Sequence, residues 1–347
     1  MNILGIESSC DETSAAVIAD GVLRSNIISS QFIHRYYGGI VPELASRAHQ
    51  KLIVPVVDQA LAVAGISRAD IAAVAVTSGP GLIGALLVGV NFAKALAYGL
   101  NIPIIGVNHL EAHIYSNFIR EPDGGVPQSL GYPFLCLIVS GGHTQLVLVH
   151  EPLNHELLGS TVDDAAGEAF DKVGKMLGLG FPGGPVIDRL AATGDPEYVK
   201  FPRSFLDDSG FDFSFSGIKT SMLYWLRDRK LLGHSNDITK PVIEPKMLAD
   251  LCASFQKSVV DVLTNKMLLA VKRFGVRDIA IAGGVSANSE LRRRMAELAA
   301  ANGLRLSIPK FDYCTDNAAM IAQLGWMKLE HGIHSSIELD AEASLAL

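Results

Sequence analysis

Two similar strand–turn–strand units lie about half a chain apart in this sequence. In the first unit, the apolar runs Asn2–Ile6 and Ala15–Ile18 flank a stretch rich in hydroxyl and carboxylate side chains. In the second, Phe134–Val139 and Gln145–Val149 flank the turn Ser140–Thr144. Each pattern is typical of a β-hairpin. Repetition of the same unit predicts an internally duplicated fold.

Predicted helices and strands alternate around these hairpins. The helices are Val41–Ala64, Leu82–Gly99, Thr161–Leu177, Met247–Phe274, Ser289–Ala301 and Asn317–His331. The further strands are Ile71–Thr77, Ile102–Val107 and Asp278–Ala282, and the segment 201–241 has a less regular pattern. This alternation predicts an α/β fold with layers around central sheets.

The length of 347 residues predicts two domains of about 150 residues each. With 49% hydrophobic and 19% charged residues, the chain can bury a large core. We expect an N-terminal lobe at 1–113, completed by the C-terminal helix 317–347, and a C-terminal lobe at 114–316.

Charge and cysteine usage indicate the compartment and the partners. The net charge of −7 gives no overall attraction to nucleic acid, so an RNA would need a local basic patch or a helper protein. The four cysteines form no CxxC pair, which favours a reducing, cytoplasmic compartment. The N-terminus does not resemble a signal peptide. The uncharged run Ile71–Ala93 is interrupted by Ser78-Gly79-Pro80-Gly81, so we expect no membrane span.

A histidine pair directly after a predicted strand is the sharpest chemical signal. His109 and His113 are four positions apart, so they share one helix face and can hold one metal ion. Asn108 and Glu111 fit an N-cap and N3 pair that would start this helix. The positive end of the helix dipole favours neutral imidazoles there. The alternative is two ordinary histidines at a helix start, with Glu111 as part of the cap.

The position of Glu111 argues against a protease site. In HExxH motifs the catalytic Glu neighbours a histidine, whereas Glu111 lies midway between the two and on another helix face. Asp316, in the loop that opens the last helix, is the candidate third ligand. It is equally typical of an ordinary N-cap.

Glycine-rich turns form the second signal. The segment Ile138-Val139-Ser140-Gly141-Gly142 leads from a strand into a turn whose bare N–H groups can cradle phosphate oxygens. Gly283–Asn288 follows a strand and lets a flat base or sugar approach the backbone, with Asn288 as a polar contact. Together with the first hairpin turn, these segments resemble the phosphate and adenosine elements of the actin–hexokinase–chaperone ATPase fold. That fold binds its nucleotide between duplicated lobes.

Two charged segments are ambiguous. On a helix, Asp164, Glu168 and Asp171 would share a face, but a solvated face with a Glu168–Lys172 pair fits equally well. Arg292–Arg294 is typical of a solvated helix face and is also a possible RNA contact.

The segments together resemble, over nearly the whole chain, the universal tRNA threonylcarbamoyladenosine biosynthesis family in its bacterial threonylcarbamoyltransferase form. The matching segments are Gly5–Thr13, Gly39–Arg47, Gly79–Leu82, His109–His113, Ser140–Thr144, Asp163–Lys172, Phe213–Lys219, Gly283–Asn288 and Thr315–Asn317. The family often has Met and Gly where Leu110 and Ala112 stand, and neither position is a ligand.

The resemblance implies an actin-like ATPase fold and one divalent metal, Fe(2+) or in some preparations Zn, held by His109, His113 and Asp316. It also implies a set of residues that bind threonylcarbamoyl-AMP. They come from the two glycine-rich segments, from the predicted helix that contains Asp171, and from the segment that follows that helix: Ile138, Val139, Ser140, Gly141, Gly142, Asp171, Gly184, Asp188 and Asn288. The backbone of Ser140–Gly142 is the candidate stabiliser of developing charge.

The implied reaction moves the threonylcarbamoyl group to N6 of the adenosine 3′ of the anticodon, in tRNAs that read codons beginning with A. The implied partners are that tRNA, a metal-free paralogue and a small ATPase.

Three other functions remain open at this point. A metallopeptidase is the older label of this family. A sugar or acid kinase would usually carry a catalytic Asp after the second phosphate turn, and none stands near His143 and Thr144. A nucleotide-binding scaffold without catalysis would not need the two histidines and Asp316 together.

Overall fold

The computed structural model of this protein describes residues 1–123, 130–204, 210–231 and 243–347. The strands in these ranges are β1 Asn2–Glu7, β2 Glu12–Ala19, β3 Val22–Ser30, β4 Ile71–Gly79, β5 Ile104–Asn108, β6 Phe134–Val139, β7 Thr144–Glu151, β8 Asn154–Ser160, β9 Asp278–Ala282 and β10 Arg305–Ser307. The α-helices there are α1 Pro42–Ala64, α2 Ile83–Leu100, α3 His109–Tyr115, α4 Ala166–Met176, α5 Gly184–Ala191, α6 Ser216–Asp228, α7 Pro245–Phe274, α8 Ser289–Asn302 and α9 Ala318–Glu330.

The same sheet topology occurs twice among these strands. One sheet has the order β3-β2-β1-β4-β5, and the other has the order β8-β7-β6-β9-β10. In each sheet the first three strands pair antiparallel, and the last two add in parallel. The internal duplication predicted from the two hairpins is therefore confirmed.

The chain divides into two compact units. The first contains Met1–Ser129 and Pro309–Leu347, and the second contains Leu130–Ile308. The expected boundaries, after 113 and after 316, differ from these. Residues beyond α3 stay in the first unit because Leu23 donates its N–H to Arg120 O at 2.8 Å. In addition, Tyr313 donates its hydroxyl to Glu121 at 2.7 Å.

Helix α9 lies directly on the first sheet. A Cβ atom on Gly5, in strand β1, would lie 2.5 Å from the backbone nitrogen of Ala322, so only glycine allows this approach. The opposite face of the sheet packs against α1 and α2 through side chains such as Leu4, Val57 and Val90. Helix α9 and the first sheet therefore form adjacent packed layers. The start of α9 and the carboxyl ends of the parallel strands β1, β4 and β5 belong to these layers.

The second unit repeats this arrangement around β6. Leu135, Leu137 and Val139 of this strand are buried in a core with Phe170 of α4 and Phe255 of α7. The rings of Phe170 and Phe255 meet edge to face at 5.1 Å.

Several boundaries and elements differ from the predicted ones. Helix α4 begins at Ala166 and not at Thr161. The backbone of residues 161–162 pairs with Phe213 instead of forming a helical turn. Strands β3 and β8 were not expected, since their mixed polar sequences lack a clear alternation. Helix α6 lies within 201–241, which we expected to be irregular. The parts of that segment at 205–209 and 232–241 lie outside the described residues.

One described helix, Ile83–Leu100, has the length and composition of a membrane span. Its small and apolar residues Ala85, Leu86, Val90 and Ala93 are buried against the rest of the first unit. The strand, turn and helix predicted for Ile71–Ala93 are present.

Candidate functional site

Helix α3 begins where strand β5 ends, and its first residue is His109. The Asn108 side chain accepts hydrogen bonds from the backbone N–H groups of Leu110 and Glu111 at 2.9 and 3.2 Å. This N-cap, predicted from the sequence, fixes where the helix starts. His109 and His113 are both buried, and their rings meet edge to face with centroids 4.7 Å apart.

Asp316 lies beside both imidazoles. Its Oδ1 is 3.4 Å from His109 Nε2 and 3.3 Å from His113 Nε2. One ligand atom from each of these three residues lies within 4.8 Å of the others. The N-cap of α9 is Asn317, whose side chain accepts from Met320 N at 3.1 Å. The ordinary N-cap explanation of Asp316 is therefore wrong.

Glu7 is a residue of this centre that the sequence reasoning missed. Its carboxylate is fully buried and accepts from Thr77 Oγ1 at 2.7 Å, from Ser9 N, and from His109 Nδ1 at 3.0 Å. A carboxylate on one imidazole nitrogen fixes the tautomer and directs the other nitrogen to a metal. The Glu-Ser-Ser-Cys-Asp-Glu run after β1 was the available signal.

The donor set fits a divalent transition metal. With Nδ1 bonded to Glu7, His109 presents Nε2 toward Asp316. Both nitrogens of His113 are buried, and within the described ranges neither makes a hydrogen bond of normal geometry. Buried polar atoms without partners are costly, so this imidazole has an unmet need for a ligand. Two imidazoles and one carboxylate suit Fe(2+) or Zn(2+).

Burial and the charged neighbours both shift the pKa values of this centre. Burial alone would lower the pKa of His109, but Asp316 and Glu7 outweigh it and raise that pKa well above its usual value. Burial lowers the pKa of His113, and the neighbouring His109 adds to this effect. Burial would raise the pKa of Asp316, yet the imidazoles hold it below its usual range.

Glu111 has a different task from a protease base. Its Oε2 lies 2.7 Å from Lys328 Nζ, and the two side chains are 8% and 15% exposed. The carboxylate is therefore engaged by a cation of α9. It does not reach back to Asn108 as the reciprocal member of a capping box, which we had expected.

A cavity in the second unit contains many of the predicted substrate residues. Its volume is about 260 Å³, just below the usual range for small-molecule pockets, and it opens to solvent. The predicted residues on its lining are Gly141, Asp171, Gly184, Asp188 and Asn288. Six further residues line it that were not named individually as binding residues: Gly167, Phe170, Pro185, Gly284, Val285 and Ala287. All but Pro185 lie within the matching segments Asp163–Lys172 and Gly283–Asn288.

Two glycines on this lining have no structural reason to be glycine. A Cβ atom on Gly141 or Gly284 would meet no other atom within 4 Å, and neither residue has a positive φ angle. Gly167 differs, because its Cβ atom would lie 2.4 Å from Ser140 O. The open space at Gly141 and Gly284 is what a ligand close to the backbone requires.

The other predicted residues lie in or before the same turn. Ile138 and Val139 are buried within strand β6. Ser140 N donates to His143 O at 2.8 Å, and the Ser140 hydroxyl accepts from His143 N at 3.1 Å, which closes the turn. Gly142 is exposed at its tip, and a Cβ atom there would also meet open space.

The polar side chains of the cavity are partly committed to the protein. Asn288 donates to Gln256 at 2.9 Å and caps α8 by accepting from Leu291 N at 2.9 Å. Asp188 accepts from the hydroxyl of Ser289 at 2.7 Å. Asp171 accepts from Gly183 N at 2.7 Å; burial raises its pKa more than this bond lowers it.

The acidic segment before α4 is mainly structural. Asp164 precedes the helix, so it does not share a helix face with Glu168 and Asp171 as predicted. Lys172 pairs with both Asp164 and Glu168, at 2.7 and 2.8 Å. Asp163 accepts from Phe215 N and Ser216 N, at 2.9 and 3.3 Å, at the start of α6.

The basic run on α8 is used within the second unit. Arg292 donates to Ser286 O at 2.7 Å, Arg293 pairs with Glu290 at 2.6 Å and with Glu297, and Arg294 pairs with Asp261 at 3.0 Å. These contacts favour the structural explanation of the run over an RNA contact.

Comparison with known proteins gives a consistent match. A family model described as TsaD, tRNA N6-adenosine threonylcarbamoyltransferase, matches residues 21–323. A protein of that same enzyme name from Salinibacter ruber is 56% identical over 348 residues, covering 100% of both chains. Another from Porphyromonas gingivalis is 52% identical over 330 residues, covering 95% of this chain and 94% of its own.

Solved structures with low sequence identity share the fold. T. kodakarensis HypF matches with a TM-score of 0.59 at 13% identity, covering 95% of this chain and 48% of that chain. The activator of the 2-hydroxyisocaproyl-CoA dehydratase from Clostridium difficile, solved with bound ADPNP, matches with a TM-score of 0.50 at 15% identity and covers 97% and 99% of the two chains. These matches concern the fold alone, and with the duplicated sheets they confirm the expected actin-like ATPase fold.

Proposed function

The chain belongs to the tRNA N6-adenosine threonylcarbamoyltransferase family, and we propose that it transfers the threonylcarbamoyl group of threonylcarbamoyl-AMP to tRNA. The acceptor is N6 of the adenosine 3′-adjacent to the anticodon, in tRNAs that read codons beginning with A, and AMP is released. The observation that carries this proposal is the group of His109, His113 and Asp316, with Glu111 diverted to Lys328. A peptidase would need that carboxylate as a base next to a bound water.

The adenylate is proposed to bind in the cavity of the second unit. Gly141 and Gly284 allow its base, sugar or phosphate to contact the backbone. Asp171, Gly184, Asp188 and Asn288 surround the same space, and Ile138–Gly142 supplies the strand end and turn. Because Asn288 also caps α8 and its backbone N–H donates to Val285 O at 2.9 Å, we expect its remaining amide hydrogen to contact the ligand.

His109, His113 and Asp316 would hold one Fe(2+) or Zn(2+) ion, with Glu7 orienting His109. Such an ion would supply a Lewis acid for a phosphate or carbonyl oxygen of the mixed anhydride.

The other contributions to the transfer reaction come from groups of the protein itself. Attack of the adenosine amine on the carbonyl places negative charge on its oxygen. In the Ser140–Gly142 turn the Ser140 N–H already donates to His143 O, so we expect the N–H groups of Gly141 and Gly142 to stabilise that charge. The C–N bond forms as the C–O bond to phosphate breaks, and AMP carries the electron pair away. The proton that the amine gives up passes to the released phosphate or to water. Because an adenine amine is a weak nucleophile, holding it against the carbonyl should supply much of the rate.

The proposed reaction also involves companion proteins. The chain is acidic overall, and its densest basic run is engaged internally, so we expect a metal-free paralogue and a small ATPase to help present the tRNA. The exposed apolar side chains Ile83, Leu87 and Tyr98 on α2 support a protein–protein contact. The expected compartment is the cytoplasm.

The test replaces the metal ligands one at a time. His113→Ala and Asp316→Ala should lose bound metal and transfer activity while remaining folded. His150→Ala, which removes an imidazole that is 43% exposed, is the matched control and should keep both. Metal content is measured by mass spectrometry, and transfer by AMP release with unmodified tRNA and the companion proteins. Full metal occupancy in Asp316→Ala would remove Asp316 from the site.

A further inference from the structure

Helix α3 carries both imidazoles of the proposed metal centre and is only seven residues long. Helices shorter than about 12 residues are marginal in isolation, so tertiary contacts must set the direction in which this one points. The direction matters because a metal site tolerates only small errors in ligand placement. The contacts of α3 with α9 are therefore of interest.

Two polar contacts join α3 to opposite ends of α9. At the start of α9, Asp316 Oδ1 lies 3.3 Å from His113 Nε2. In the last turn of α9, Lys328 Nζ lies 2.7 Å from Glu111 Oε2. Residues 318 and 328 of α9 are separated by roughly 15 Å at the rise of an α-helix, and Asp316 lies just before the helix. All seven residues of α3 are buried, so apolar packing also holds the helix, and the two polar contacts add fixed, directional attachments to it.

The ion pair is buried, which makes stability alone a weak explanation for it. Removing two charges from water costs several kcal/mol each, and apolar replacements of buried ion pairs are often as stable or more stable. A directional contact between charges at fixed places is better suited to orientation. The pair also agrees with both helix dipoles, since Glu111 is in the first turn of α3 and Lys328 in the last turn of α9.

We propose that Glu111 and Lys328 are positioning residues that hold the His109–His113 face toward Asp316, so that breaking the pair weakens metal binding in a folded protein. This inference rests on the proposed metal centre. It gives the midpoint Glu of the His-x-Glu-x-His segment a role that involves neither metal ligation nor proton transfer.

The experiment is a Co²⁺ titration of the purified full chain, followed by its visible absorption bands, which report ligand geometry. Glu111→Gln and Lys328→Met should each weaken Co²⁺ binding about tenfold to a hundredfold, as is typical when a supporting contact behind a metal ligand is lost. The double variant should be no weaker than the worse single variant, because the two residues act as one pair. Lys328→Arg keeps the charge and should stay near the wild-type affinity.

Arg203→Met is the control for a merely structural ion pair. It removes a contact of 2.8 Å with Asp261 in the second unit, where the side chains are 27% and 12% exposed. It should lower the unfolding temperature and leave the Co²⁺ affinity and spectrum unchanged.

The outcomes separate the inference from the proposed function. If the wild type binds Co²⁺, His113→Ala does not, and Glu111→Gln matches the wild type in affinity and spectrum, the positioning role is overturned and the metal centre stands. If His113→Ala binds like the wild type, the metal centre itself fails. Should Glu111→Gln not fold, Lys328→Met and Lys328→Arg decide, and equal affinities for these two overturn the inference.

Discussion

Gly141→Ala should weaken ligand binding and spare stability, whereas Gly167→Ala should lower stability. An added methyl group at Gly141 meets no atom within 4 Å, whereas at Gly167 it would lie 2.4 Å from Ser140 O and 2.8 Å from Gly141 Cα. Gly167 is buried in the first turn of α4, where neither backbone neighbour can move aside cheaply. Overpacking of this kind costs about 1–3 kcal/mol.

Gly141→Ala should therefore leave the free energy of unfolding within about 0.5 kcal/mol of wild type, or raise it slightly by restricting the unfolded chain. It should weaken AMP binding about tenfold, or about 1.4 kcal/mol, because the methyl group enters the space that the ligand needs. Urea unfolding gives the first quantity, and calorimetric titration with AMP gives the second.

Two results would contradict the reasoning about these glycines. If Gly141→Ala binds AMP as the wild type does, the turn at Ser140–Gly142 does not contact the nucleotide. If Gly141→Ala is destabilised as much as Gly167→Ala, the open space inferred at this position is wrong.

Three further predictions concern the first unit and the cavity. Glu7→Gln should keep the fold and lower metal affinity about tenfold to a hundredfold, because His109 loses its charged partner; metal titration checks this. Asp171→Asn should raise the unfolding temperature at neutral pH, and the gain should shrink as the pH falls toward about 3.9. The sign follows because burial raises the pKa of Asp171 in the folded state, so the folded wild type is penalised for ionisation above that range; unfolding scans at several pH values measure it. Removing 342–347 deletes the 2.8 Å bond from Asn108 Nδ2 to Ala346 O and two backbone bonds, and should cost about 3 kcal/mol of unfolding free energy.

The repeated hairpins and the histidine pair could be predicted because their signals are local. Strand alternation, a cap residue and a four-residue spacing are all contained in short stretches of sequence. Asp316 was within reach of the sequence only through its place at a helix start and through family resemblance.

Other features of the site and the fold could not be predicted, because they depend on contacts between segments far apart in the sequence. Glu7 and His109 are 102 positions apart, and only the parallel pairing of β1, β4 and β5 brings the strand ends together. The start of α4 was misplaced because Asp163 binds the N–H groups at the start of α6, about fifty residues later. The midpoint Glu111 was rightly excluded as a protease base, but its partner Lys328 could not be read from spacing.

The most direct test of the central claim is mass spectrometry of nucleosides from unmodified tRNA incubated with this chain, its companion proteins and threonylcarbamoyl-AMP. We expect threonylcarbamoyladenosine next to the anticodon with the wild type, with AMP released in proportion, and none with His109→Ala. This expectation is contradicted if the tRNA gains no such nucleoside while a peptide substrate is cut in a metal-dependent way.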